Sequence, residues 1–318
     1  MKALTSLMVL VVCACLAGVA SVRADDQPCP DSPLPCGKIA FVSARDGNPE
    51  IYSVRVHGRR GVKRLTNEPA DDVDPAWSPD GKRIAFVSAR SGSYEIYVMN
   101  ADGSHVVQRT FSGISWGPTW SPDGTKIAYS TLSNGSANLW VVSPDAGGPA
   151  PTLLFEAPGW DAQPAWSPDG ARLALASDWY AYDFVWDIFL INADGSGFTG
   201  LTGDIFDNKD YLNPSWSPSG EQLAVAITVR VGLNEYTSTL GVMNSDGSGL
   251  TPLVSAVNWS TNVWLPGAYG ATHSWSPDGQ RIAFTSGSQG APDISWVKAD
   301  GRAKGLIVRN GWNPSWSR

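Results

Sequence analysis

Trp77-Ser78-Pro79-Asp80-Gly81-Lys82-Arg83-Ile84-Ala85-Phe86-Val87-Ser88 is the stretch that decides the fold. A short strand, Ala76 to Ser78, carries the tryptophan. Pro79 fixes φ at the second position of a tight turn, and Gly81 accepts a left-handed one. Ile84 to Ser88 then reads as a second strand. It is apolar at nearly every position, which predicts burial on both faces. Glu95 to Asn100 reads as a third strand, Ala101-Asp102-Gly103-Ser104 as a hairpin turn, and Val106 to Thr110 as a fourth strand. The cycle restarts at Pro118-Thr119-Trp120-Ser121.

The Trp-Ser signature recurs at Trp77, Trp120, Trp166, Trp216, Trp275 and Trp316, at intervals of 43, 46, 50, 59 and 41 residues. That period belongs to four-stranded propeller blades. The chain enters at Gly37 with a second strand, Ile39 to Ser43, and leaves with a first strand, Asn313 to Ser317. Each end supplies what the other lacks, so pairing them closes a ring and removes its exposed edges. The expected fold is all-β: a six-bladed β-propeller of four-stranded antiparallel blades over residues 37–318.

The blocks Trp77-Ser-Pro-Asp-Gly-Lys-Arg-Ile-Ala-Phe and Glu95-Ile-Tyr-Val-Met-Asn-Ala-Asp-Gly-Ser resemble the WD-like repeat of TolB-type propellers. The resemblance covers essentially all of residues 37–318 and implies the fold more strongly than a function. The full TolB architecture has an α/β domain before the propeller. Here about a dozen residues separate the expected leader from the first blade. The resemblance is therefore to the propeller alone, and TolB's Pal-binding role does not follow from it.

Residues 1–24 read as a secretory signal peptide: Lys2, an apolar run from Leu7 to Ala20, and small residues ending at Ala24. Reading Cys15 as a lipid anchor is less apt, because the apolar run continues past it. No later stretch is apolar and long enough to span a bilayer. Loss of the leader removes Lys2 and Arg23 and takes the net charge from −7 to −9. A chain this acidic, without a basic stripe, is a poor partner for nucleic acid. Cys29 and Cys36 remain in residues 25–36, and an exported chain is expected to join them in a disulfide. The expected location is periplasmic or extracellular, and the expected state a monomer.

Strand direction alternates within a blade, so the Pro-Asp-Gly and Ala-Asp-Gly-Ser turns share one face. The loops from strand 2 to strand 3, and from blade to blade, share the other. This second set varies in length and carries the aromatic residues outside the repeat, as a binding face does. Trp116, Trp160, Trp179, Tyr180, Tyr211, Trp264, Tyr269 and Trp312 are the candidate contacts. His273 joins them on the channel wall, where other units mostly have Pro. An envelope or secreted protein is the expected partner, and a carbohydrate the alternative.

Asp72, Asp74, Asp161 and Asp210 lie on that face and are candidates for Ca²⁺, although solvated loop acids are the plainer reading and no EF-type loop is present. No other cofactor is expected. Three His in the chain do not supply a zinc or multi-His site. Gly113-Ile-Ser-Trp-Gly117 matches the esterase elbow pattern but lacks its strand-and-helix setting. A glycosidase or lyase pairing Asp161 with Asp210 is the enzyme alternative.

Overall fold

The computed structural model describes residues 37–56, 61–133, 135–179, 185–203, 209–230, 236–255, 272–288 and 290–317. Within them 24 strands form six four-stranded antiparallel sheets. Blade I holds β1 (Lys38–Ser43), β2 (Glu50–Arg55) and β3 (Val62–Arg64). Blade II holds β4 (Asp72–Trp77), β5 (Arg83–Ser88), β6 (Glu95–Asn100) and β7 (Val107–Gln108). Blade III runs through β8 (Ser115–Trp120), β9 (Ile127–Ser133), β10 (Ser136–Val142) and β11 (Thr152–Phe155). Blade IV runs through β12 (Asp161–Trp166), β13 (Arg172–Ser177), β14 (Asp187–Asn192) and β15 (Thr199–Gly200). Blade V comprises β16 (Lys209–Trp216), β17 (Gln222–Arg230), β18 (Tyr236–Asn244) and β19 (Thr251–Ser255). Blade VI comprises β20 (His273–Trp275), β21 (Arg281–Ser288), β22 (Ala291–Lys298) and β23 (Lys304–Arg309). The last strand, β24 (Trp312–Trp316), returns to blade I and pairs antiparallel with β1.

The ring thus closes as the two incomplete ends predict. Lys38 and Ser317 exchange backbone and hydroxyl hydrogen bonds at 2.8 and 2.9 Å. Arg45 reaches from blade I to the carbonyls of Arg309 and Asn310 at 2.8 and 3.1 Å.

Second strands are sandwiched between blades, which explains their unbroken apolar runs. Ile84, Ala85, Phe86 and Val87 have no exposed surface, nor do Leu173, Ala174, Leu175 and Ala176. Each large side chain so buried contributes about 1.5–3 kcal/mol. Outer strands such as β7 and β15 are two residues long, which limits the free edge they offer.

Two repeated devices fasten the blades. A carboxylate opening the third strand takes a threonine hydroxyl from the end of the fourth. Thr66 Oγ1 donates to Glu50 at 2.5 Å, Thr110 to Glu95 at 2.5 Å, and Thr202 to Asp187 at 2.7 Å. The same hydroxyls accept the N–H groups of Ile51, Ile96 and Ile188. The signature tryptophans supply the second device. Trp120, Trp216 and Trp275 donate indole N–H bonds to carbonyls of the preceding blade at 3.0–3.1 Å. Trp77 and Trp316 instead donate their own backbone N–H to serine hydroxyls of the preceding blade, Ser315 and Ser274.

The inner strands begin earlier than the Trp-Ser signature suggests. β4 starts at Asp72, not Ala76, and its register shifts between Val73 and Ala76. The same shift occurs in β8, β12, β16 and β24. It is a β-bulge carried by an Xaa-Pro pair, and proline's missing N–H hides this half of the strand from a pattern reading.

Candidate functional site

The six inner strands surround an axial channel. At each bulge the residue before proline turns left-handed: Asp74 (φ 51°), Gly117 (62°), Gln163 (56°), Asn213 (52°) and Asn313 (50°). Glycine adopts this backbone freely, and Asn or Asp at modest cost, whereas Gln163 is the strained member. Thr272 holds the corresponding position in blade VI, just before β20. These six residues ring the wall near the mouth on the variable-loop face.

Side chains link the ring from blade to blade. Thr272 Oγ1 donates to Asn313 Oδ1 at 2.7 Å, and Asn313 Nδ2 donates to Asp74 Oδ1 at 2.6 Å. The Asn213 N–H donates to Gln163 Oε1 at 2.7 Å. The ring bounds an upper cavity of about 220 Å³, together with Trp116 and His273. A lower cavity of about 180 Å³ opens towards the Pro-Asp-Gly turns and is lined by the six signature tryptophans. The two meet at the level of Thr119, Ala165, Ser215 and His273.

Of the candidate contacts, Trp116 and His273 line the upper cavity, and both are buried. Tyr211 is buried in β16, with its N–H bonded to the Trp186 carbonyl at 2.6 Å. Trp160 and Trp312 are half-buried and pack against the main core. Trp179 is 37% exposed and leans on Phe198 with ring centroids 5.0 Å apart. Tyr180, Trp264 and Tyr269 lie outside the described residues, as do the leader, Cys29 and Cys36.

The four candidate calcium ligands are spread over blades II, IV and V. Asp72 is fully buried, with Oδ2 accepting from Arg90 at 2.7 Å, and burial pushes its carboxyl up to about 6 against the pull of Arg90. Asp161 is also fully buried and accepts the Ala157 N–H at 2.9 Å; burial pushes it up to about 7, and Asp178 and Glu156 add to the rise. Asp210 accepts the Trp186 N–H at 3.1 Å, and Asp74 belongs to the polar ring. Among the described residues no three His, Cys, Asp or Glu side chains gather as a metal-holding group.

Sequence reasoning missed two features: the ring, of which it singled out Asp74 alone, and Phe111. The ring residues carried a legible signal: a polar residue or glycine stands directly before the proline, three positions before the signature tryptophan. Phe111 carried none. It sits in the linker from β7 to β8 and is 76% exposed, beside Ile114 at 39%. Only the packing of neighbouring loops decides whether such an apolar linker residue is covered.

Residues 30–117 match the PD40 family model, described as the TolB beta propeller domain. Over those residues the repeat is similar to that of TolB propellers. TolB from Acinetobacter baumannii superposes with a TM-score of 0.73 at 19% identity, over 88% of this chain and 66% of that one. The chain therefore spans just under two thirds of that TolB. A putative TolB from Agrobacterium tumefaciens gives 0.62 at 20% identity, over 87% of this chain and 91% of that one. An oligogalacturonate lyase in complex with manganese gives 0.51 at 14% identity, over 87% of this chain and 73% of that one. At these identities the likeness is one of fold. Among the described residues of the ring, no helix is long and apolar enough to cross a membrane.

Proposed function

We propose that this chain is an exported protein-binding module, and that the face of the blade-to-blade and second-to-third-strand loops holds a protein of the cell envelope. The observation that carries the reading is Phe111, an aromatic side chain 76% exposed beside Ile114 on the face that also holds the upper channel mouth. An aromatic ring held out on the loop face of a regular scaffold supplies the kind of apolar contact that a protein partner buries. The leader-like residues 1–24 and the TolB-type fold support export, and Cys29 and Cys36 would then meet an oxidising compartment. A polysaccharide on the same face is the competing reading. Asp161 is fully buried, Asp210 accepts the Trp186 N–H, and neither lines the two channel cavities, which makes that pair ill placed for acid–base work on a sugar.

The test is affinity capture by the chain from Asp25 onward, immobilised and exposed to envelope extract, with Phe111→Ser as the control. A protein retained by the wild type and lost by the variant supports the module. Retention of glycan alone, equal in both, overturns it in favour of carbohydrate.

A further inference from the structure

Five of the six inner strands place a proline directly after the ring residue: Pro75, Pro118, Pro164, Pro214 and Pro314. Proline has no N–H, so at this level the wall loses backbone donors and keeps its carbonyls. The ring adds the Asp74 carboxylate, which can only accept, and the carboxamides of Gln163, Asn213 and Asn313, which both accept and donate. None of the described residues lining this cavity is Lys or Arg. A wall with one carboxylate, five prolines that lack N–H groups and no Lys or Arg among its described residues favours a cation that is all donor. An alkylammonium has three N–H groups and no acceptor. A divalent metal fits less well, because no three carboxylate, His or Cys ligands gather among the described residues.

Trp116 narrows the ligand further. Its side chain lines the same cavity at 5% exposure, and its indole N–H has no hydrogen-bond partner among the described residues. A buried donor of this kind calls for an acceptor oxygen. A free amine brings none, whereas a polypeptide brings an ammonium and a carbonyl together. The cavity of about 220 Å³ falls below the size that holds a drug-sized ligand and suits one extended side chain with its peptide unit.

We propose that the upper channel takes a lysine ε-ammonium of the partner polypeptide at Asp74 and the carboxamide ring, with a neighbouring main-chain carbonyl on the Trp116 indole N–H. This rests on the protein-binding reading above and names the chemistry that its partner presents.

The test is an NMR titration of the chain from Asp25 onward with three probes: Nα-acetyl-lysine N-methylamide, its ε-acetylated counterpart and n-butylamine. The lysine derivative is expected to give saturable shifts of the Gln163, Asn213 and Asn313 amide signals and of the Trp116 indole proton. The ε-acetylated probe should bind at least tenfold more weakly. Asp74→Asn, which keeps an acceptor for Asn313, should weaken the lysine derivative and butylamine alike by about tenfold. Trp116→Phe should weaken the lysine derivative severalfold and leave butylamine unchanged. Equal binding of the ε-acetylated probe, or undiminished shifts in Asp74→Asn, overturns the proposal. Butylamine binding as tightly as the lysine derivative, with the Trp116 proton unmoved, overturns its polypeptide half. If no ammonium binds yet Phe111-dependent capture persists, the inference fails and the binding module stands. If ammonium binds and no protein is captured, the module fails and the ammonium site stands.

Discussion

Asn313 and Asp74 lie 239 residues apart in the chain, yet the carboxamide of one donates to the carboxylate of the other at 2.6 Å. The contact joins the last strand to the first strand of blade II, and Thr272 extends it to blade VI. Asn313→Ala removes a donor to a carboxylate and an acceptor, and forces a Cβ-branchless but non-glycine residue into φ 50°. About 2–4 kcal/mol of stability should be lost, from a charge-assisted bond and a left-handed backbone together. Asn313→Gly should recover roughly 1 kcal/mol of that, since glycine accepts the backbone. Urea unfolding of the two variants checks the difference, and equal losses would show that the backbone contributes nothing.

The carboxylate–threonine staple predicts a contrast at Thr110. Its hydroxyl serves Glu95 at 2.5 Å and the Ile96 N–H at 2.8 Å, all inside the protein. Thr110→Val keeps the shape, strands the Ile96 N–H and takes one donor from Glu95, which keeps the Gly113 N–H and the Ser115 hydroxyl; the cost should be about 1–3 kcal/mol. Thr110→Ser keeps the hydroxyl and should cost under about 1 kcal/mol. Thermal denaturation at fixed pH separates the two.

Asp161 and Asp72 make stability depend on pH in a stated direction. A carboxyl whose folded pKa lies above its unfolded value of 3.8 binds more protons folded than unfolded between the two values. Stability from these groups is therefore greatest below about pH 4. It falls as pH rises to about 7 for Asp161 and about 6 for Asp72, and stays level above. Asp161→Asn removes its share, up to about 4 kcal/mol at pH 8. The variant should melt higher than wild type at pH 8 and no higher at pH 4. A variant less stable at pH 8 would show that the charged form is the favoured one.

Two glycines with similar backbone angles should respond differently to alanine. Gly103 has φ 92°, and a Cβ there would approach the Leu65 carbonyl oxygen to 2.3 Å. Gly92 has φ 95° and open space around it. Gly92→Ala should cost about 1–2 kcal/mol from the backbone alone. Gly103→Ala should cost clearly more, because the hairpin of blade II must move off blade I. Chemical denaturation of both variants measures the excess.

Phe111→Ser provides the functional counterpart. With the ring 76% exposed, the substitution should leave stability within about 0.5 kcal/mol of wild type. Capture of the partner protein should nonetheless fall. A matching loss of melting temperature would mean that Phe111 supports the loop instead of a partner.

The ring was legible in the sequence because its determinants are local and repeated. Pro-Asp-Gly fixes one turn, Asp-Gly another, and the apolar run between them has no polar face to put in water. Even closure could be read, from a chain that starts on a second strand and ends on a first. The inner strands were read too short, because the Xaa-Pro bulge breaks the alternation that marks a strand. Tyr211 and Trp116 looked like loop aromatics for the same reason: each stands upstream of the bulge, on the part of the strand that the pattern concealed.

The sequence by itself determined the blade, the number of blades and the faces on which short and long loops emerge, since turn chemistry and burial act between residues close in the chain. Only the tertiary structure decided which side chains share the channel. Thr272, Asn313 and Asp74 become neighbours when the ends of the chain meet, and Phe111 stays in water because nothing described packs over it. Those outcomes depend on distances between blades, which no local pattern encodes.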